Sequence, residues 1–274
     1  MEPERPAPEP LDADDVKRIL TAVPDLTVDI ATFMGQFSNL MQEYRAAIRE
    51  VRTKFEILDE DTKVRLDRNP IHVISTRLKS PQSLLEKLRR KGYPLSIDSI
   101  RENIHDVAGV RIVCNYIDDV SEVAEAFLRQ DDITLIERKD YISDPKPSGY
   151  RSLHLVVSVP VFLSDRKQEV PVEVQIRTIA MDFWASLEHR LRYKNDDVLQ
   201  AHGPEVEDIR ARLVESAHLI AAIDQAMQRL QDDIEHLADE RDALDVATDR
   251  PTGEADAPAQ AATSARDPDV PSHA

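Results

Sequence analysis

Four runs of β-branched residues between positions 107 and 178 constrain the fold more than any other feature of the chain. The runs are VAGVRIVCNY, ITLIERKDYI, SLHLVVSVPVF and VPVEVQIRT, and clusters of Gly, Pro and Asp bound them, which is typical of strands. A helical segment, DDVSEVAEAFLRQ, lies between the first two runs, with Ser121 or an adjacent aspartate as its expected cap. The pattern predicts an α/β domain whose sheet is flanked by helices.

Amphipathic segments stand on both sides of this core. Apolar residues recur at steps of three and four from Leu26 to Leu58, which predicts one long helix or two. The same spacing from Val206 to Leu237 forms a heptad-like seam, which fits either a helix packed on its own core or a subunit interface. Trp184, Leu187 and Leu191 also follow helical spacing, and we expect them in the core.

The predicted organisation has five parts, of which the two ends are disordered because they are rich in Pro and acidic residues. We expect disorder at 1–14, a helical region at 15–70, the core at 71–195, a second helical region at 196–245 and a disordered acidic tail at 246–274. The chain has one cysteine, an acidic start in place of a basic leader, and no apolar run long enough to cross a bilayer. We therefore expect a soluble, cytoplasmic protein with no membrane partner.

The charge of the chain is unevenly distributed. Its 35 basic and 52 acidic residues give a net charge of −17, so nonspecific binding to nucleic acid is not expected. The core, however, holds 19 basic and 18 acidic side chains, and six of the basic ones lie between Arg77 and Lys91. An anion site can therefore exist inside an acidic protein.

The basic segment between Arg77 and Lys91 is the first candidate for such a site. The six glycines form no phosphate-binding glycine loop, so side chains must hold any phosphates. A helix that begins near Pro81 would gather two side chains from the preceding extended turn and three from one helix face, namely Arg77, Lys79, Ser83, Lys87 and Arg90. Such a cluster suits a triphosphate, and a solvated basic helix is the alternative.

Two carboxylates form a second candidate feature. Asp106 stands directly before the run VAGVRI, and Glu173 alternates with apolar residues in VEVQIR, so that it shares one strand face with Gln175 and Arg177. Two carboxylates that lie close together can hold Mg²⁺ against phosphate oxygens. Their proximity is a prediction that depends on the predicted strands.

The segment DYISDPKPSGYRSLH, residues 140–154, is the third candidate. Two prolines and a glycine constrain it, and it carries Lys146, Tyr150, Arg151 and His154. An aromatic ring beside cations is a suitable seat for a nucleobase and its phosphates. Tyr150 can alternatively be a core residue at the start of a strand.

Four motifs follow one another over roughly residues 70 to 195. They are R-x-K-S-x-x-S-x-x-x-K, D-V-A-G-V-R-I, D-Y-I-x-x-P-K-x-x-G-Y-R-S-L-H and V-E-V-Q-I-R-T-x-x-M-D-F-W-A-x-x-E-H-x-x-x-Y-K. Together they resemble the synthetase domain of the RelA/SpoT family, in particular its small, stand-alone alarmone synthetases. The resemblance implies a mixed-sheet, nucleotidyltransferase-like core and transfer of the β,γ-pyrophosphate of ATP to the 3′-hydroxyl of GDP or GTP, which yields AMP and ppGpp or pppGpp.

The resemblance also implies roles for individual residues. On the ATP side it implies two arginines that bracket adenine and four residues that hold phosphates: Arg77 and Arg111, then Lys79, Ser83, Lys87 and Arg90. On the acceptor side it implies a tyrosine that stacks on guanine, two residues for the phosphates, two that help to orient Glu173 and one for the base: Tyr150, then Lys146 and His154, then Gln175 and Arg177, then Asp182. Asp106 would bind Mg²⁺, and Glu173 would be the general base or a second metal ligand. Asp182 departs from the Asn of several small synthetases.

Three further expectations follow from the resemblance. Alarmone hydrolysis is not expected, because the His105–Asp106 doublet belongs to a synthetase motif and residues 1–70 contain no histidine. A homo-oligomer, specifically a tetramer, is expected. Two other functions on the same scaffold stay open: a nucleotidyltransferase, and a catalytically weak regulator that binds nucleotide or RNA. The preferred acceptor also stays open.

Overall fold

The computed structural model describes residues 30–200 and 203–248. The predictions for residues 1–14, for 15–29 of the first helical region and for 249–274 of the predicted tail therefore lie outside the described residues, while 246–248 are helical. The chain divides into two compact units, Met1–Leu230 and Gln231–Ala274. The sheet and the candidate site both belong to the first unit, and the described part of the second unit is helical.

Eleven helices and strands follow one another in the described residues. The helices are α1 (Ile30–Leu66), α2 (Pro81–Lys91), α3 (Ile97–Asn103), α4 (Ile117–Leu128), α5 (Ile179–Gln200) and α6 (Pro204–Thr248). The strands are β1 (Ile71–Leu78), β2 (Ala108–Cys114), β3 (Thr134–Asp140), β4 (Leu153–Phe162) and β5 (Lys167–Thr178). The four predicted strands and the helix between the first two are confirmed, and the N-terminal amphipathic segment is one helix.

The five strands form one mixed sheet in the order β1-β2-β5-β4-β3. β2 and β5 run parallel at its centre, and the other neighbours are antiparallel. The mixed α/β fold predicted from the sequence is confirmed. β1 is a correction: Arg77 lies inside this strand and not in an extended turn before α2. Because β1 is an edge strand that buries only Ile71, it lacks the apolar stripe that would have revealed it.

Helix α4 corrects a second local prediction. It begins at Ile117, so Ser121 lies in its interior and does not cap it. Instead, the backbone N–H of Tyr116 donates to the carboxylate of Asp119 at 3.0 Å. This bond satisfies a donor at the helix start. Tyr116 is the N-cap residue, so neither Ser121 nor an aspartate is the cap, and Asp119 contributes from the third helical position instead.

One face of the sheet is apolar and packs against α1, which contacts β1, β2, β4 and β5. Ile112, Val172, Val174 and Leu155 on this face are fully buried. Phe55 on α1 is also fully buried, as part of the same core. Because side chains alternate along a strand, covering this face leaves the opposite face of the sheet free to carry polar groups.

The prediction that Trp184, Leu187 and Leu191 all lie in the core is wrong in part. Trp184 is buried, but Leu187 and Leu191 are 43% and 49% exposed. Within the first unit, the seam of α6 is likewise exposed at Ile223 and Met227. Helical spacing identified an apolar stripe correctly, but spacing does not say what covers it.

We predict that the stacked pair Phe55–Phe127 is a major anchor between α1 and α4. Both rings are fully buried and their centroids are 4.4 Å apart. Phe55→Ala should lower the free energy of unfolding in urea by about 3 to 5 kcal/mol, because it opens a cavity in the core. The control Ile57→Ala, at a side chain that is 58% exposed, should change it by less than about 1 kcal/mol. Equal effects of the two substitutions would contradict this packing.

Candidate active site

The second face of the sheet is polar, and strand register brings its residues side by side. Gly109 on β2 pairs with Arg77 on β1 and with Glu173 on β5, and Arg111 pairs with Gln175. His154 on β4 also pairs with Gln175. Since paired residues of neighbouring strands project to the same face, these side chains form one polar surface. The sequence-predicted strand face of Glu173, Gln175 and Arg177 is confirmed as part of it.

Asp106 sits at the edge of this surface between two lysines. The Nζ of Lys79, just after β1, lies 2.6 Å from Asp106 Oδ2, and the Nζ of Lys87, on α2, lies 2.7 Å from Oδ1. Burial acts to raise the pKa of the Asp106 carboxyl, but the hydrogen bonds and charges of the two lysines outweigh it and lower the pKa. Asp106 is therefore an ionised carboxylate with two cations beside it.

Helix α2 brings its residues to this site through ordinary capping. The Oγ of Ser80 accepts a 3.3 Å hydrogen bond from the N–H of Ser83, and Pro81 occupies the first turn. Ser83 and Lys87 are both half-buried, whereas Arg90 is exposed. The structure thus brings Lys79, Lys87 and Asp106 into direct contact, while Arg90 remains at the solvent-facing end of the predicted helix face.

Five polar side chains form a closed ring on the same sheet face. Gln175 Nε2 donates to Glu173 Oε2 at 3.1 Å, and Arg177 Nη2 donates to Gln175 Oε1 at 2.7 Å. Arg177 Nη2 also donates to the Tyr150 hydroxyl at 2.6 Å, and that hydroxyl lies 2.8 Å from His154 Nε2. His154 Nδ1 closes the ring, 3.5 Å from Glu173 Oε1. Both ring nitrogens of His154 therefore have protein partners.

The pKa of Glu173 reports this environment. Burial acts to raise it, but the hydrogen bond and charge of His154 and the hydrogen bond from Gln175 outweigh burial and lower the pKa. The negative charge of Asp106 opposes this lowering, so the two carboxylates are within electrostatic reach of each other. Strand register agrees with the predicted proximity of the two carboxylates, since Gly109, three residues after Asp106, pairs with Glu173.

The loop before β4 carries an aromatic and cationic cluster. Lys146 Nζ lies 4.5 Å from the centre of the Tyr141 ring and 4.9 Å from that of Tyr150. The two rings meet edge to face at 6.1 Å, and Tyr141 also contacts His154 edge to face. Sequence reasoning singled out Tyr150 but missed Tyr141, although both tyrosines lie in the same loop motif.

Asp182, in the first turn of α5, links two arginines of the polar face. Its Oδ1 accepts from Arg177 Nη1 at 3.1 Å and lies 3.3 Å from Arg111 Nη1. Burial, together with the positive charges of Arg177 and Arg77, lowers the pKa of Arg111, while Asp182 and Tyr150 act to raise it. Arg111 and Arg177 thus share one carboxylate oxygen, and the charge of Arg77 also acts on Arg111. Such a concentration of positive charge attracts anions.

Helix α6 supports the aromatic loop from behind. Ala217 is buried with Trp184 and Ala185, and Tyr150 packs against this small cluster. Trp184 Nε1 donates to Ser216 Oγ at 3.0 Å.

In the described part of the chain, no helix is both long and apolar enough to cross a membrane.

Comparison with known proteins agrees with this geometry. The protein family described as "Region found in RelA / SpoT proteins" matches residues 76–198. The GTP pyrophosphokinase YwaC of Bacillus subtilis is 39% identical over 76% of this chain and 96% of its own length. The GTP pyrophosphokinase YjbM of the same bacterium is 35% identical over 73% of this chain and 90% of its own length.

Solved structures give the same result for the fold. The small alarmone synthetase 1 of Bacillus subtilis, in a crystal structure bound to its product pppGpp, superposes with a TM-score of 0.65 at 35% identity. The match covers 73% of this chain and 98% of that one. The small alarmone synthetase 2 of Bacillus subtilis superposes with a TM-score of 0.62 at 39% identity, over 70% of this chain and 97% of that one.

The fold and the family match thus assign this chain to the class of proteins that contain the RelA/SpoT region. Within this class, the relatives named above match over nearly their whole length. The chain belongs to the RelA/SpoT family, among its small alarmone synthetases.

We predict that the loop carrying Tyr150 depends on Gly149. This glycine has a φ of +87°, and a Cβ added to it would collide with the Cβ of Ala217. Gly149→Ala should therefore lower the free energy of unfolding by about 2 kcal/mol. The matched control Gly35→Ala, at an exposed position of α1 with nothing within 4 Å, should raise it by about 1 kcal/mol. Urea unfolding of both variants measures this, and stabilisation by Gly149→Ala would contradict it.

Proposed function

We propose that this protein is a (p)ppGpp synthetase, which transfers the β,γ-pyrophosphate of ATP to the 3′-hydroxyl of GDP or GTP. The observation that carries the proposal is the placement of Glu173 opposite Gly109 of β2, with the lysine-bound carboxylate of Asp106 at the entrance to that same strand. The relatives named GTP pyrophosphokinase and the pppGpp-bound structure support the same reaction. The reaction forms a bond between the acceptor O3′ and the β-phosphorus of ATP, breaks the α,β-anhydride bond and releases AMP.

The lysine pair and α2 form the donor half. Lys79 and Lys87 hold the ATP phosphates, with Ser83 at the start of α2 and Arg90 at its exposed face. Support comes from the contacts of both lysines with Asp106, since groups that stabilise one anion can stabilise another. Arg77 and Arg111 bracket the adenine ring, because guanidinium planes stack well on purines.

Mg²⁺ is the cofactor we propose, held by Asp106 and Glu173. In the residues that the structure describes, no group of three or more His, Cys, Asp or Glu side chains is arranged to hold a metal ion. The carboxylate pair nevertheless fits Mg²⁺, which is commonly held by one or two carboxylates together with substrate phosphates. When bound, the ion would neutralise charge on the transferring pyrophosphate.

Glu173 is the residue we assign to the attacking hydroxyl. Its lowered pKa keeps it ionised at neutral pH, so that it can accept a hydrogen bond from the 3′-hydroxyl and take its proton. A strong base is not required, because phosphoryl-type transfer depends mainly on positioning and charge neutralisation. Gln175 holds Oε2 of this carboxylate and thereby orients it.

The acceptor nucleotide lies along the aromatic loop in this proposal. Tyr150 stacks on the guanine base, and Lys146 is placed beside its ring for the acceptor phosphates. His154 is assigned to the same phosphates, which would compete for its present bond to Tyr150 or to Glu173. Asp182 accepts from the N1 and N2 donors of guanine, which adenine does not offer in the same arrangement.

We also propose a homotetramer located in the cytoplasm. Phe183, Leu187 and Leu191 form an exposed apolar stripe on α5, and Ile223 and Met227 are exposed on α6. Contiguous exposed apolar surface favours burial between subunits. Light scattering should give four times the mass of the 31.0 kDa chain. A monomeric mass at micromolar concentration would contradict the proposed assembly.

The proposed reaction is tested by incubating the protein with ATP, Mg²⁺ and either GDP or GTP, and by resolving the products by anion exchange and phosphorus NMR. The expected products are AMP and a guanosine nucleotide with a 3′-pyrophosphate, and a metal chelator should abolish both. Glu173→Gln, which keeps the side-chain shape, should abolish turnover and leave ATP binding intact.

Two other outcomes would contradict the proposal. Release of pyrophosphate from ATP would indicate a nucleotidyltransferase. Binding of guanine nucleotide without turnover would indicate a regulator on the same scaffold.

A further inference from the structure

Arg177 is the most extensively bonded side chain of the polar face, and apart from the expectation that it helps to orient Glu173, none of the roles described above uses it. Its side chain is 4% exposed, and it lies near the end of the β2–β5 ladder, where it pairs with Val113. Its guanidinium donates from all three nitrogens: Nε to Ser152, Nη1 to Asp182, and Nη2 to both Tyr150 and Gln175. A buried charge with this many directed bonds calls for an explanation, since burying a charge is costly.

The partners of Arg177 have a common location. Three of the four, Tyr150, Gln175 and Asp182, belong to the acceptor side of the proposed site. Tyr150 provides the aromatic face, Asp182 the carboxylate for the base, and Gln175 the amide that holds Glu173. One guanidinium therefore bonds the stacking tyrosine, the carboxylate for the base and the amide beside Glu173.

Arg177 acts through these partners, because its own donors are directed at protein atoms. Its guanidinium carbon lies 5.1 Å from the centre of the Tyr150 ring, so it contacts the ring as well as the hydroxyl. The same Tyr150 hydroxyl also bonds His154 Nε2, and His154 Nδ1 in turn contacts Glu173. A displacement of Arg177 would therefore move both the seat of the base and the catalytic carboxylate.

We propose that Arg177 is the positioning residue that fixes the acceptor half of the site before substrate binds. This proposal deepens the proposed function and rests on it. Arginine is suited to the role because its planar fork holds several acceptors at fixed angles, which lysine cannot do with one point of charge. The bonds that offset the cost of burying the Arg177 charge also fix the geometry of Tyr150, Gln175 and Asp182.

The test substitutes Arg177→Lys, which keeps the charge and removes the fork. The KM for GDP should rise about tenfold or more, because hydrogen bonds to a charged donor are lost at Tyr150, Gln175 or Asp182. The KM for ATP should stay within about threefold, since of the donor residues only Arg111 shares a partner with Arg177. Arg138→Lys is the matched control, because Arg138 bonds Glu125 on the exposed surface, and it should change neither constant.

A second variant keeps the proposal testable if Arg177→Lys folds poorly. Tyr150→Phe removes the hydroxyl that accepts from Arg177 and bonds His154, and it should raise the KM for GDP about threefold to tenfold. In the double variant the two effects should fall short of additivity, because both remove the same bond. A merely structural arginine would instead lower stability and change both KM values together.

The outcomes separate this proposal from the proposed function. If the wild-type protein synthesises alarmone and Arg177→Lys or Tyr150→Phe leaves the KM for GDP unchanged, Arg177 is not a positioning residue. Equal increases in the KM for ATP and GDP would overturn the role as well. If the wild-type protein makes no alarmone, the proposed function fails, and calorimetric affinity for GDP in the same variants decides the role of Arg177 by itself.

Discussion

The parallel pairing of β2 with β5 is the constraint on which the rest of the site depends. It places Glu173 beside Gly109 and Gln175 beside Arg111, and the antiparallel pairing with β4 adds His154. A shift of one residue would turn Glu173 toward the face that packs on α1, where its charge would have no partner. The apolar alternation that anchors β5 in the core thus also fixes the polar alternation that carries the chemistry.

The charged groups of the site are likewise paired before any substrate binds. The chain is strongly acidic as a whole, yet several cations gather at the candidate site, where carboxylates already hold them. Asp106 pairs with two lysines and Asp182 with two arginines. In the proposed reaction the two lysines pass from Asp106 to the substrate phosphates, whereas Arg177 keeps its bonds to the protein, so that these buried cations stay paired. Preformed partners of this kind limit the reorganisation that binding requires.

Much of this could be predicted from the sequence, because strands buried on one face and motif residues leave clear patterns. β1 could not be predicted, since an exposed edge strand has no apolar stripe. Without that strand, the sequence prediction put Arg77 in a turn. Spacing also placed Leu187 and Leu191 correctly on one helix face but not in the core. The ring through Arg177 was beyond sequence reasoning, because it joins β5 to a loop about 27 residues earlier in the chain, and only register and loop conformation bring Tyr150 to it.

A carbon-13 NMR titration of the side-chain carboxyls decides whether the polar face is an ionised, preorganised network. Glu173→Gln and Asp106→Asn assign the two resonances. The lysine and His154 contacts lower both pKa values, so both groups should stay ionised while ordinary glutamates and aspartates take up protons, and their stabilising contribution should be lost only as the pH falls through the lowered values. Protonation of either group above its ordinary pKa would contradict the network.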